Sequence, residues 1–162
     1  MNSASPAPDA ATAAKHELAR EVLRTSGKLR LQVNGWSMLP TILPGDTLLV
    51  ERAEAAAVSE GDIVLYGRER RFFAHRVISA AASHEGDQEI VTRGDAMPRP
   101  DAPVSHRELL GKVAGLVRHG KTIAPRPNLR IMDRAVAALA RRSPIAARAL
   151  VRVHNLRQAF AS

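Results

Sequence analysis

Leu29, Leu31 and Val33 alternate with Lys28, Arg30 and Gln32, and the chain then runs directly into Asn34-Gly35-Trp36-Ser37-Met38-Leu39-Pro40-Thr41-Ile42-Leu43-Pro44-Gly45-Asp46. Alternation with period two marks a strand with one buried face. That strand delivers the chain to Gly35 and Ser37, and Pro44-Gly45-Asp46 turns it back. The same grammar repeats downstream. Thr47 to Glu51 reads as a second strand, and Gly61-Asp62 turns into the apolar run Ile63-Val64-Leu65-Tyr66. Arg71 to Ser79 is a strand carrying His75. Gln88 to Thr92 is a strand ending at Gly94-Asp95, and Leu109 to Val117 is the last core strand. Between them, Ala53 to Ser59 is a connector, Ala80 to Gly86 a polar loop, and Ala96 to Pro103 a proline-rich, irregular stretch.

Helices are expected only at the two ends. Leu18, Val22 and Leu23 have helical spacing, so Lys15 to Thr25 reads as a short helix ended by Ser26-Gly27. Residues 1–14, rich in Ala, Ser, Pro and Asp, read as a disordered tail. Residues 15–123 form the core unit with its N-terminal helix, and Ala124-Pro125-Arg126-Pro127 reads as a linker. Residues 124–162 form a basic extension with a helical pair. Leu129, Met132, Val136 and Leu139 mark the first helix. Ser143-Pro144 starts the second, whose stripe is Ile145, Ala149, Val153, Leu156 and Phe160.

Charge separates these regions. The formal net charge is +8 over 162 residues, and from Lys112 onward the only acid is Asp133. Such a block favours anionic partners, and the expected one is an anionic membrane surface reached through the basic C-terminal helices; no nucleic-acid partner is expected. A solvated cationic face is the competing reading. There is no Cys, so no disulfide framework and no thiolate metal site. His16, His84, His106, His119 and His154 are scattered without metal-ligand spacing, so no metal and no cofactor are expected. Residues 1–14 lack the basic and apolar regions of a secretory signal, and no apolar stretch approaches the roughly 20 residues that span a bilayer. The expected location is cytoplasmic or peripheral to a membrane.

Three residues carry the chemistry. A serine hydroxyl becomes a useful nucleophile when a base takes its proton, and a histidine suits that role near neutral pH. A carboxylate on the far side of the ring fixes the tautomer and stabilises the imidazolium. Ser37, His75 in Phe72-Phe73-Ala74-His75-Arg76-Val77-Ile78, and Asp95 in Thr92-Arg93-Gly94-Asp95-Ala96 supply these groups at strand ends or edges. Taken singly, each has a plainer reading: a turn serine, a half-buried strand histidine and a turn aspartate.

Together and in this order, the three segments resemble the signal peptidase / LexA-like (S24/S26) serine peptidases. The His-Arg-Val-Ile and Arg-Gly-Asp contexts look closest to the branch with a histidine base, as in endoplasmic-reticulum and archaeal signal peptidases. The resemblance implies a mainly β (α+β) fold, a coiled β-sheet core with a short N-terminal helix and the C-terminal helical pair. It implies a serine endopeptidase with Ser37, His75 and Asp95 as catalytic residues, acting on an extended peptide or protein with small residues before the cut. Gly35, Trp36 and Met38 would contact substrate. Some relatives place a serine two residues before the nucleophile to donate to the oxyanion; here that position is Gly35. Two alternatives stand beside this reading. One is a catalytically silent peptide- or membrane-surface-binding module on the same scaffold. The other is a LexA-like self-cleaving regulator, for which Ala114-Gly115 resembles the bond cut, although it falls in an expected core strand.

Overall fold

The computed structural model describes residues 10–82, 88–128 and 137–138. Helix α1 spans Ala10–Ser26, and seven strands follow: β1 Lys28–Gln32, β2 Thr47–Arg52, β3 Ile63–Arg68, β4 Arg71–Ala82, β5 Gln88–Arg93, β6 Leu109–Arg118 and β7 Lys121–Ile123. A short 3-10 turn, Ala55–Ala57, lies in the connector after β2. Among the described residues, all strand pairings are antiparallel. The sheet order is β1-β2-β6-β3-β4-β5, and β7 takes the edge of β6 beyond the point where β3 leaves it.

Sequence pattern explains which strand goes where. β1 alternates exposed and half-buried residues along its length, as an edge strand with one covered face does. β3 is apolar without alternation because both its faces are covered. Ile63 and Leu65 join one core cluster with Leu23, Met38, Ile42, Leu48, Val50, Leu110, Val113 and Leu116. Val64 and Tyr66 join a second with Val58, Val77, Ile90, Val104 and Leu109. Each fully buried aliphatic side chain of this kind contributes about 1.5–3 kcal/mol. The long strands are bent by register shifts at Leu49/Val50, Leu65/Tyr66 and Val77/Ser79, the bulges that let one sheet coil around two cores.

The helix differs from its expected extent. It begins at Ala10, five residues before Lys15, within the stretch expected to be a tail, and it buries Ala19 and Leu23 while Leu18 faces outward. Ala-rich sequence has high helix propensity, which carries the helix upstream of its apolar stripe. Gly27 closes it at φ 70, with its N–H donated to the Leu23 carbonyl. β7, not expected from sequence, follows a two-residue turn through His119 and Gly120, both at positive φ. Of the expected C-terminal helical pair, only Ala137 and Ala138 fall among the described residues, as helix with Ala137 buried; the rest lies outside them.

Residues 124–128 are described and do not hang free. The Arg76 guanidinium on β4 donates through Nη1 to the carbonyls of Arg126 at 2.6 Å and Pro127 at 3.1 Å. Among the described residues, no helix is long and apolar enough to cross a membrane.

Candidate active site

Ser37 stands just past the end of β1, in a turn closed by Leu39 N–H to Trp36 O and Ile42 N–H to Met38 O. The loop after β5 packs directly behind it. Ala96 N–H donates to the Ser37 carbonyl at 2.8 Å. A Cβ on Gly94 would come within 2.6 Å of that carbonyl and 3.1 Å of the Ser37 Cβ, so only glycine permits this approach.

His75, 4 % exposed, projects from β4 opposite Val64 of β3. The Ser37 hydroxyl donates to His75 Nε2 at 2.9 Å. On the other side of the ring, Nδ1–H donates to an Asp101 carboxylate oxygen at 2.7 Å. Thr92 Oγ1 donates to the same oxygen at 2.7 Å. Burial opposes the charge on Asp101, yet the hydrogen bonds from His75 and Thr92 outweigh it, holding the carboxyl below the usual range. The Tyr66 hydroxyl lies 3.4 Å from Nδ1, and burial pushes it up to about 12, so the phenol stays neutral beside the ring.

The carboxylate bonded to the His75 ring is therefore Asp101, whereas the expected Asp95 faces Arg76. Both oxygens of Asp95 are bonded by Arg76, Nε at 2.8 Å and Nη2 at 2.9 Å, and Thr41 Oγ1 donates to one of them. Arg76 follows His75 on the strand, so its side chain leaves the opposite face and takes Asp95 with it. Asp101 lies in the proline-rich segment, which carries no periodic pattern to read. Its place is set by long-range bonds. Asp101 N–H donates to Thr92 O at 2.8 Å, and Val104 N–H to Ile90 O at 2.7 Å. Arg68 of β3 donates to the carbonyls of Ala102 and Pro103, and its guanidinium forms a two-bond pair with Glu108. The one available sequence signal was a second aspartate framed by Pro98, Pro100 and Pro103.

A groove of about 670 Å³ ends at Ser37. Gly35, Trp36 and Met38 line it, with Leu31 and Val33 on one side and Phe72 and Ala74 on the other. Trp36 is open to it at 38 % exposure, whereas Met38 is almost wholly buried and accepts from Asp95 N–H through sulfur at 3.4 Å. Both walls are strand edges. Among the described residues, β1 pairs only with β2, and Arg71 to His75 of β4 pair only with β3, since β5 joins at Arg76. Among the described residues, no group of His, Cys, Asp and Glu is arranged to hold a metal ion.

No curated protein matches the chain. The family model described as Peptidase S24-like matches residues 4–114, a stretch that takes in the β1 strand, the nucleophile turn, His75 and Asp101. With well over half its length so matched, and a serine in hydrogen bond with a carboxylate-backed histidine inside the matched stretch, the chain belongs to the Peptidase S24-like family of serine peptidases.

Proposed function

We propose that the chain is a serine endopeptidase that cuts an extended peptide laid along the groove beside β1 and β4. The observation that carries this reading is the continuous line of hydrogen bonds from Ser37 through His75 to Asp101. Ser37 Oγ attacks the scissile carbonyl carbon while His75 Nε2 takes its proton, and Asp101 holds the ring and offsets the imidazolium charge. The imidazolium then gives its proton to the departing amine, and water, deprotonated by the same ring, releases the acyl group. The Ser37 N–H, which bonds to no described residue, is the natural donor to the oxyanion. A Cβ at Gly35 would meet nothing within 4 Å, so glycine here leaves open the space that a serine donor fills in some relatives.

Two unpaired edges facing one groove suit a peptide added as a strand, with main-chain bonds giving affinity and alternate side chains giving selectivity. Small residues before the cut, as in signal peptides, are the selectivity the family resemblance suggests. Self-cleavage at Ala114-Gly115 is disfavoured, because Gly115 pairs with Leu49 inside the sheet and the bond lies in the middle of β6. The test is mass-spectrometric product analysis on a library of extended peptides. Wild type yields discrete products, and Ser37→Ala loses several orders of magnitude in rate with the fold unchanged. Equal cleavage by Ser37→Ala would refute the serine mechanism.

A further inference from the structure

The groove carries a single ionisable side chain. Arg71 is the one Asp, Glu, Lys, Arg or His among its lining residues. It is exposed, and among the described residues its guanidinium forms no ion pair. Its position is set by the sheet, since it pairs with Arg68 at the start of β4.

Side chains on a strand alternate, so Arg71, Phe73 and His75 share one face. At about 3.3 Å per residue, Arg71 stands roughly 13 Å along the strand from the catalytic base. A peptide added to the same edge advances at the same rate. Its side chain facing Arg71 is therefore four residues from the one facing His75, on the same side of the new strand. No Asp or Glu is among the groove's lining residues, and the cross-strand neighbour of Arg71, Arg68, is itself engaged by Glu108.

We infer that Arg71 selects substrates bearing an acidic side chain about four residues from the scissile bond, in the arm of the peptide that lies in the groove. This rests on the peptidase reading above. Arg71 acts on recognition and leaves the reacting atoms to Ser37 and His75.

The probes are extended, alanine-rich peptides with one Glu, or Gln in its place, moved along the sequence. One arm measures kcat/KM with wild type. The other measures fluorescence anisotropy with Ser37→Ala, which reads recognition without turnover. The Glu peptide is favoured about two- to fivefold at low ionic strength, with the maximum near the fourth residue on one side of the cut. The preference fades in about 0.5 M salt, where charge interactions are screened within a few ångströms. Arg71→Lys keeps it, Arg71→Gln abolishes it, and Arg71→Glu transfers it to a Lys peptide. A flat Glu/Gln ratio in both arms, or a preference that survives Arg71→Gln, overturns the inference. Peptides bound with the acid preference but never cut by wild type overturn the peptidase reading alone. Peptides neither bound nor cut overturn both.

Discussion

Two aspartates lie beside β4, six residues apart in sequence, and their partners sort them. Asp101 serves the ring, so Asp101→Asn should lower kcat by three to four orders of magnitude, roughly the cost of a wrong tautomer, with KM nearly unchanged and only a small fall in the urea midpoint. Asp95 serves Arg76, which is 8 % exposed. Asp95→Asn removes the counter-charge of that guanidinium and should cost about 3–5 kcal/mol of stability, read as a lowered urea midpoint. The reverse pattern, activity lost with stability intact at Asp95, would exchange their roles. The meeting of Ser37 and His75 was legible in sequence because each lies in a distinctive local context at a strand end or edge. The choice between the aspartates was not, because it is made by Arg76 and Thr92 through contacts that no local pattern encodes.

Among the elements, the β3–β4 hairpin is held on terms its residues do not favour. Its two turn residues, Glu69 and Arg70, both have positive φ, at 50° and 60°. A two-residue turn of this hand matches strand twist and prefers Asn-Gly. The double change Glu69→Asn, Arg70→Gly should therefore stabilise the chain by about 1 kcal/mol, measured by urea unfolding. The hairpin also presents Arg68, whose pair with Glu108 pulls that carboxyl down to about 2 from its ordinary 4.5. Asp101 is lowered as well. Groups depressed in the folded state contribute stability above their unfolded pKa and lose it as pH falls through the folded one. The urea midpoint should thus drop as pH falls from about 4.5 toward 2, and Glu108→Gln should flatten part of that slope. Strands β1 to β6 were legible because alternation and apolar runs report burial directly. β7 was missed because its three residues are all exposed and owe their strand form to the partner β6. The upstream turns of α1 were missed because alanine has propensity without a stripe.

At the scale of the whole molecule, one sheet carries His75 and the edges of the groove, Ser37 sits in the turn past β1, and residues 124–128 close the reverse side. Pro127 packs on Gly61, whose φ of 89 and lack of a side chain make room for it. A chain ended at Ile123 leaves Arg76 Nη1 with the Gly61 carbonyl but without those of Arg126 and Pro127. Loss of these partners should cost about 2 kcal/mol of stability and lower kcat more than KM, as the Asp95 loop loosens behind Ser37. A truncated chain with unchanged urea midpoint and kcat would show that the strap carries no load. The strap has a mechanical corollary. Tension applied at Asn128 loads the bonds that Arg126 and Pro127 make to one guanidinium, and the residue before it along that strand is His75. A pull on the tail is thus delivered one peptide unit from His75.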